Sequence, residues 1–383
     1  IKELKKGITP QYKYSWKRQN WFQYNANEHN AIRNKVGLFD MSSFGKIKVI
    51  GKDAEDVLQR IAANNIAIEP GKMVYTQFLN EEGCVEADVT ITRLSLEEFL
   101  IVTPADTIHR DINWIKNHIP DNANTIVIDV TSSEAVITIM GPESRNFLQP
   151  IISNNLSNNS FPFASMQEVD IGYAKARAHR ITYVGELGWE LYVSNDLSNH
   201  VFETIMKRSE DHPIQLCGLH TMDSCRIEKG YRHFGHDISN EDNALEAGLG
   251  FVIKEDKPSG KFGHMIGKDS IVKKRNEGFE KLLLQFRLRD PEPLLYHNEP
   301  ILRDGIIVGY LTSGNYGHYL KGAIGLGYIK CNNVGESIKD ILSSSYQIDV
   351  AGHKIDADVS IKPMYDPKSV SYTHLTLPTK RIV

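Results

Sequence analysis

Hydrophobic residues follow two alternating periods along the first 250 residues of the chain. A two-residue period predicts strands at 44–51, 75–79, 85–92 and 99–102. A helical period predicts helices, of which the clearest lie at 54–62 and 108–119. This mixture of strands and helices is typical of an α+β domain of about 220 residues.

Changes in composition indicate the domain boundaries. Residues 1–26 are polar and aperiodic, which predicts a connecting segment before a main domain at 27–255. Residues 256–280 are rich in charge and glycine and predict a linker with one short helix. Residues 281–368 contain short strand patterns separated by Asp-Gly, Ser-Gly and Ala-Gly turns, which predict a small all-β barrel or sandwich. Residues 369–383 do not fit that pattern; they resemble translated read-through of a sequencing adapter, and no function is assigned to them.

Composition and charge argue against nucleic acid and membranes as binding partners. The chain has 383 residues and a net charge of −4, without the basic stripe that nucleic acid requires, so we expect no nucleic-acid partner. No apolar run approaches the roughly 20 residues that span a bilayer, so we expect no membrane partner. The four cysteines form no C-x-x-C pair, which argues against a disulfide framework and favours a reducing compartment.

The common cofactor-binding motifs are missing from the sequence. It contains no G-x-G-x-x-G after a strand, no P-loop and no G-x-S-x-G elbow, so dinucleotide, nucleotide and hydrolase functions lose their usual support. The stretch HFGHD brings His233, His236 and Asp237 close together. On a loop this spacing is more typical of hydrogen-bonded histidines, and no metal is predicted.

Asp88 lies in a strand that follows a turn at Glu82-Gly83. The apolar residues of this strand share one face, whereas Glu86, Asp88 and Thr90 share the other. Either these three side chains face water, or one carboxylate lines a pocket in which it binds a nitrogen base or moves its proton. The pattern leaves both interpretations open.

The stretch RITYVGELGWELYVSND, residues 180–196, alternates like a half-buried strand and contains two carboxylates. Gly185 and Gly188 indicate a turn or bulge that redirects side chains. Among aromatic residues, the two oxygens of Glu190 could accept a pair of N–H donors from a planar heterocycle. The alternative is a solvated glutamate on an edge strand.

Arg226 lies three residues after Asp223 on a predicted helix. An Asp–Arg helix pair or a buried structural salt bridge is the preferred interpretation. A role in ligand binding is the less favoured alternative.

Several stretches of this sequence occur together in one protein family. They cover roughly residues 27–368 and are EHNAIRNKVGLFDMSSFGKIKVIG, MVYTQFLNEEGCVEADVTITRL, TYVGELGWELYV, DSCRIEKGYRHFGHDI, NALEAGLGFVI and IKPMYDPK. Because it contains these stretches in this order, the chain resembles the aminomethyltransferase (glycine-cleavage T-protein) superfamily. It is most similar to the folate-binding carboxy-terminal region of dimethylglycine and sarcosine dehydrogenases. The resemblance implies an α+β cloverleaf of three small domains around a folate site, with a C-terminal β-barrel.

The resemblance also implies the residues of the site. Asp88 matches the aspartate beside the reactive nitrogens of tetrahydrofolate and is the expected catalytic residue, flanked by Ala87 and Val89. Tyr183 and Glu190 match the pair that holds the pterin. Leu191 and Tyr192 flank Glu190, and all seven residues are expected in the cofactor site. Glu186, on the turn, is expected to be structural.

The chain departs from the glycine-cleavage enzymes at two positions, and the first departure, at Met222, favours the flavoenzyme branch of the family. The glycine-cleavage enzymes have an arginine where this chain has Met222, and their C-terminal arginine has no match here. In the flavoenzyme branch, an upstream flavin domain oxidises an N-methyl amine, and tetrahydrofolate captures the resulting iminium or formaldehyde carbon as methylenetetrahydrofolate.

The resemblance therefore implies a folate-dependent one-carbon transfer domain. Because the chain starts at Ile1 and has no flavin fingerprint, the expectation is a fragment of an FAD-dependent dehydrogenase, with FAD only in the missing upstream domain. The expected partners are that domain and a methylated amine or its oxidation product. The alternatives are a stand-alone aminomethyltransferase and a non-catalytic folate-binding module. A bacterial cytoplasmic location is the expectation.

Overall fold

The computed structural model describes residues 11, 13 and 15–373, and mixes helices with strands throughout. Within these residues the helices are α1 (Phe22–Asn34), α2 (Ala54–Ile61), α3 (Ile108–Asn117), α4 (Ser144–Leu148), α5 (Ser198–Asp211), α6 (Leu219–Glu228), α7 (Lys268–Glu277), α8 (Ile338–Ser343) and α9 (Val370–Thr373). The strands are β1 (Gly37–Asp40), β2 (Gly45–Ile50), β3 (Met73–Leu79), β4 (Val85–Ser95), β5 (Glu98–Thr103), β6 (Ile126–Asp129), β7 (Glu134–Met140), β8 (Met166–Ile171), β9 (Ala174–His179), β10 (Gly188–Ser194), β11 (Gln215–Leu216), β12 (Lys281–Leu288), β13 (Pro300–Arg303), β14 (Ile306–Gly317), β15 (Gly322–Lys330), β16 (Tyr346–Val350) and β17 (His353–Ser360).

A five-stranded antiparallel sheet, here named the Asp88 sheet, has the order β3-β4-β5-β2-β6. The alternating apolar residues of β4 point to one face, where α2 and α3 cover them. Ala87 and Val89 are buried in this core together with Leu58 and Ile115. The other face of β4 carries the polar residues.

A six-stranded sheet, here named the Glu190 sheet, has the order β11-β1-β7-β10-β9-β8. On one face Trp189 and Leu191 are fully buried, together with residues of α4 and α5 such as Phe147 and Val201. Glu190 and Tyr192 point to the opposite face because successive side chains alternate along β10. That face turns towards the Asp88 sheet.

The two sheets meet through a small apolar core. Leu100 and Val102 of the Asp88 sheet pack with Val136, Met140 and Tyr192 of the Glu190 sheet. Contacts on this inner side bring the polar face of β4 towards the polar face of β10. The candidate site lies between them.

The C-terminal part forms a closed six-stranded barrel in the order β12-β15-β14-β13-β16-β17. The barrel confirms one of the two architectures that the turn-rich sequence predicted. Leu283, Ile324 and Leu326 pack against Ile227 of α6, which joins the barrel to the rest of the molecule. The linker before the barrel contains the predicted short helix, α7.

A buried cluster of charges connects α1, α6 and the barrel. The Glu228 carboxylate accepts hydrogen bonds from His29 Nε2 (3.1 Å) and Arg33 Nη2 (2.9 Å), and from the backbone amides of Tyr319 and Leu320. Burial by itself raises the pKa of Glu228, but the charges of His29 and Arg33 and these hydrogen bonds lower it to about 2. Arg33 also donates to Glu186 Oε1, which accepts a second hydrogen bond from the hydroxyl of Tyr365.

Two local predictions were wrong. Helix α1 begins at Phe22, inside the predicted connecting segment. The prediction missed this start because the N-terminal half of the helix buries the polar residue Asn25, and hydrophobic periodicity does not detect a buried polar residue. The stretch 180–196 is a strand only from Gly188 onwards, and its side chains are buried on both faces instead of one.

Within the described residues, no helix has the length and apolar character to cross a membrane.

We expect Arg33→Met to lower the free energy of unfolding by about 3–5 kcal/mol, because it leaves Glu186 and Glu228 as buried charges without their shared cation. The midpoint of urea-induced unfolding measures this loss. Lys175→Met removes an exposed pair with Asp170 and is the control, with an expected loss below about 1 kcal/mol. Equal losses in the two variants would contradict a structural role for the cluster.

Candidate active site

Asp88 lies on β4, directly opposite Gln77 of β3. The side-chain amide of Gln77 donates a hydrogen bond of 2.8 Å to Asp88 Oδ1, and Tyr75 from the same strand is a second hydrogen-bond partner. Burial raises the pKa of Asp88 to about 6, although these two hydrogen bonds and the charge of Arg232 lower it. The carboxyl group can therefore bind or release a proton near neutral pH.

The three polar residues of β4 have different surroundings, so the interpretation that all of them face water is wrong. Glu86 forms an ion pair with Arg110 of α3, whose guanidinium also binds the Glu86 carbonyl. Asp88 is half-buried and held by β3. Thr90 is also half-buried, opposite Tyr75.

Glu190 lines a small cavity whose other walls come from β1, β7, α6 and the loops next to them. Its side chain is 9% exposed, and Oε2 accepts a hydrogen bond of 2.8 Å from the hydroxyl of Tyr192. Burial raises the pKa of Glu190 to about 7, and this single hydrogen bond lowers it only in part. His179, its cross-strand neighbour, does not supply a positive charge, because burial lowers the pKa of this histidine to about 3.

The walls of this cavity are mostly apolar. The space open to water amounts to only about 10 Å³, and its lining residues are Phe39, Met41, Phe44, Thr138, Met140, Tyr183, Val184, Glu190 and Met222. A buried carboxylate with one oxygen that no described residue hydrogen-bonds fits a flat ring that carries N–H donors. In this structure the cavity has room for about one water molecule, so a flat ring could reach Glu190 only if the wall residues moved apart.

Tyr183 connects the cavity with the surroundings of Asp88. Its ring lines the cavity, and its hydroxyl donates a hydrogen bond of 2.8 Å to the carbonyl of Arg232. The Asp88 carboxylate contributes to the raised pKa of Tyr183, which burial causes first. The structure thus brings Tyr183, Glu190 and Tyr192 together, and the charge of Asp88 acts on Tyr183.

The side chains of Ala87, Val89 and Leu191 point away from this site. They are at most 2% exposed and belong to the cores on the opposite faces of the two sheets. The reason is the two-residue period of a strand, which places the neighbours of an inward residue on the other face. The expectation that these three flank the ligand applies only to their backbone.

The remaining candidates have structural surroundings. Glu186 is buried in the ion-pair cluster with Arg33, as expected for a structural residue. Arg226 is 2% exposed and pairs with both Asp223 and Asp237, which confirms the preferred buried salt bridge.

In the HFGHD loop, the carboxylate is likewise already bound by other residues of the protein. The Asp237 carboxylate also accepts hydrogen bonds from the His233 amide and the Thr312 hydroxyl. Across the part of the chain that the structure describes, no group of three His, Cys, Asp or Glu residues is arranged for a metal ion. The four cysteines are free thiols.

The sequence analysis missed Tyr75 and Gln77, which hold Asp88, and the apolar walls around Glu190. The hairpin turn at Glu82-Gly83 places β3 beside β4, but a shift of register at Phe78/Leu79 is needed to bring Gln77 opposite Asp88, and the turn does not encode this shift. The walls contain Met41, which follows β1, and Met140, the last residue of β7. No local pattern connects these residues.

Comparison with known proteins identifies the family. Residues 5–257 match the model of the GCVT N-terminal domain, and residues 281–366 match that of the glycine cleavage T-protein C-terminal barrel domain. The chain belongs to the glycine cleavage T-protein family. The fold agrees with that of the glycine cleavage system aminomethyltransferase T from Bartonella henselae, with a TM-score of 0.76 at 21% identity over 89% of each chain.

Curated relatives of this T-protein family member include transferases and oxidases. The chain is 39% identical to 4-methylaminobutanoate oxidase (formaldehyde-forming) of Paenarthrobacter nicotinovorans, covering 94% of this chain and 42% of that protein. It is 35% identical to an aminomethyltransferase of Halothermothrix orenii, covering 81% of this chain and 85% of that protein. It is 30% identical to mouse mitochondrial dimethylglycine dehydrogenase, covering 89% of this chain and 39% of that protein. The chain thus spans about two fifths of the length of the oxidase and of the dehydrogenase.

We expect Glu190→Gln to make the ligand-free protein more stable at alkaline pH. Because the pKa of Glu190 is about 7 in the fold and about 4.5 in water, its protonated form favours the folded state; this contribution is complete below pH 4.5 and is lost as the pH rises through 7. At pH 8 the variant should gain up to about 3 kcal/mol in free energy of unfolding, and at pH 5 much less.

Urea unfolding of the wild type and Glu190→Gln between pH 5 and 8.5 measures this difference. The same substitution at the exposed residue Glu168 gives the effect of the amide itself. A difference between the wild type and Glu190→Gln that does not grow with pH would show that the Glu190 carboxyl is not held in an apolar cavity.

Proposed function

We propose that this chain binds tetrahydrofolate between the Asp88 sheet and the Glu190 sheet and transfers a one-carbon unit to it. The observation that carries the proposal is the carboxylate of Glu190, which is buried in an apolar cavity with a single hydrogen bond from Tyr192. Leaving a buried carboxylate without a cation destabilises a protein. The presence of the buried Glu190 carboxylate is explained if a ligand supplies the hydrogen-bond donors that the protein lacks here, as the N–H groups of a pterin would.

Asp88 is the proposed catalytic residue. Tetrahydrofolate supplies two nitrogen nucleophiles, which take up one carbon from formaldehyde with release of one water and no change of oxidation state. A nitrogen that attacks a carbonyl carbon must lose its proton, and Asp88 is held by Gln77 at a pKa suited to accept it. Holding the two reactants together would supply most of the remaining rate enhancement.

The proposed carbon source is an oxidised N-methyl amine. This proposal is supported by similarity to 4-methylaminobutanoate oxidase and to the dimethylglycine and sarcosine dehydrogenases, of which the chain spans 38–42%. In the whole protein, a flavin domain would produce formaldehyde or an iminium ion, and this chain would capture its carbon. Met222, which lines the cavity, supports the flavoenzyme branch because the glycine-cleavage enzymes have arginine at that position.

A second candidate is a stand-alone aminomethyltransferase that receives its carbon from a lipoylated carrier protein. The 85% coverage of the Halothermothrix orenii aminomethyltransferase favours it. The two candidates differ in the donor that they accept. Turnover with an aminomethyl-lipoyl carrier but not with formaldehyde would select the transferase.

We expect Asp88→Asn to reduce the rate of methylenetetrahydrofolate formation by about 10²–10⁴-fold, the usual contribution of a positioned acid or base. The dissociation constant of tetrahydrofolate should change less than about threefold, because Glu190 still holds the pterin. Stopped-flow rates and calorimetric titration of the purified chain measure the two quantities.

Glu86→Gln is the matched control for Asp88→Asn, because Glu86 lies on the same face of β4 but is paired with Arg110. The control should keep most of the rate. If Asp88→Asn weakens binding as much as it slows the reaction, Asp88 binds folate and does not move a proton.

We expect Glu190→Gln to weaken tetrahydrofolate binding by about 10- to 100-fold, because a charge-assisted pair of hydrogen bonds is replaced by an amide that accepts only one. Calorimetric titration of the wild type, Glu190→Gln and the exposed control Glu168→Gln measures this change. If Glu190→Gln binds tetrahydrofolate with unchanged affinity, Glu190 does not bind the pterin. A folded wild type that binds no tetrahydrofolate would overturn the proposed function.

A further inference from the structure

A second cavity, different from the one that Glu190 lines, opens to the surface beside the end of α2. Its space open to water amounts to about 580 Å³, which is enough for a small molecule. Its walls come from the segment after α2, from the loop 250–257 and from α7. The polar residues of these walls include Asn64, Lys254, Glu255, Asp256, Lys257 and Arg275.

Two backbone carbonyls hold the amino group of Lys257 in the wall of this cavity. Its Nζ donates hydrogen bonds to the carbonyl of Ala62, directly after α2, and to that of Asn64 at 2.8 Å. The segment that contains both carbonyls lies along β3, the edge strand of the Asp88 sheet, where the amide of Ala63 donates a hydrogen bond of 2.8 Å to the carbonyl of Gln77. Backbone atoms therefore fix the position of this amino group at the border of the cavity.

The contacts of Lys257 suit a neutral amine better than an ammonium ion. An ammonium ion has three N–H donors, whereas a neutral amine has two donors and one lone pair. The two carbonyls accept two hydrogen bonds, and within the described residues no carboxylate forms an ion pair with Lys257. Burial lowers the pKa of Lys257 to about 7. A large fraction of this amine therefore keeps a free lone pair at neutral pH.

Four other charged side chains line the same cavity. Lys254 and Arg275 are positive, and Glu255 and Asp256 are negative. Arg275 Nε binds Glu255 Oε1 at 3.0 Å, so these two charges compensate each other. Lys254 is exposed, whereas Lys257 is half-buried. The cavity thus contains a solvated lysine with which the reactivity of Lys257 can be compared.

We propose that Lys257 is a covalent binding site for a small aldehyde, which condenses with its neutral amine to an imine. The lone pair of the amine forms the new bond to the carbonyl carbon. The two hydrogens of the amine and the oxygen of the aldehyde leave together as water, so the step needs no oxidant or reductant. Water in the open cavity can then replace the two N–H donors at the carbonyls of Ala62 and Asn64. This inference goes beyond the proposed function, because it requires no folate.

Reductive methylation of the whole purified chain tests this site. Formaldehyde is the probe, and cyanoborohydride supplies the hydride that converts the imine into a stable N-methyl group. At pH 7 we expect Lys257 to be methylated at least about tenfold faster than Lys254, because a solvated lysine, with a pKa of about 10.4, is almost fully protonated there. Mass spectrometry of the digested protein measures both rates. If Lys257 reacts no faster than Lys254, the proposal is wrong.

The pH dependence of the two rates distinguishes a neutral amine from an amine that is merely accessible. Below about pH 7, the pKa of Lys257, both neutral fractions rise together, so the ratio of the Lys257 rate to the Lys254 rate should be constant. Above pH 7 only the neutral fraction of a solvated lysine still rises, and the ratio should fall by up to about tenfold per pH unit. A ratio that does not change with pH would contradict the proposal.

Two variants identify the reacting amine. Lys257→Arg keeps a cation but has no primary amine, so the fast methylation should disappear, while Lys254→Arg is the matched control and should leave it unchanged. Circular dichroism checks the fold of both variants. If the wild-type Lys257 is methylated only after unfolding in urea, its amine is a structural contact and the proposal is overturned. None of these results depends on tetrahydrofolate binding, so they leave the test of the proposed function separate.

Discussion

The arrangement of the site depends on the buried carboxylate of Glu228. It binds His29 and Arg33 of α1 and two backbone amides of the barrel, so one side chain at the end of α6 connects three separate parts of the chain. Both ends of α6 contribute to the site. Met222 on this helix lines the cavity, and the loop that follows the helix contains Arg232, whose charge lowers the pKa of Asp88. A shift of α6 would therefore change both halves of the site together.

Two glutamates four positions apart show how partners decide the role of a buried carboxylate. Glu186 and Glu190 are both buried, at 2% and 9% exposure. Arg33 and Tyr365 bind Glu186, which makes it part of the structural cluster. Glu190 receives one hydrogen bond and no cation, so burial raises the pKa of its carboxyl group to about 7. A ligand with N–H donors would compensate the charge that the protein leaves without a partner.

Asp88 shows the same principle on the opposite sheet. Its strand partner Gln77 positions one oxygen, and Arg232 supplies positive charge from a loop that is distant in sequence. Local strand geometry thus orients the carboxylate, and tertiary contacts adjust its proton affinity. The alternation of β4 also explains why Ala87 and Val89, its direct neighbours, belong to the core instead of the site.

The sequence by itself determined the strands β3 to β5, the helices α2 and α6 and the strand-rich C-terminal part, because each has a clear local period or turn signal. It also indicated that Glu190 is surrounded by aromatic residues. It did not show the N-terminal half of α1, whose buried face is polar, or the closure of the barrel. Only the tertiary structure decided that Glu190 lines a cavity together with Tyr183 and Met222, and that Arg33 pairs with Glu186 and not with Glu190. These outcomes depend on contacts between residues far apart in the chain, which no local period encodes.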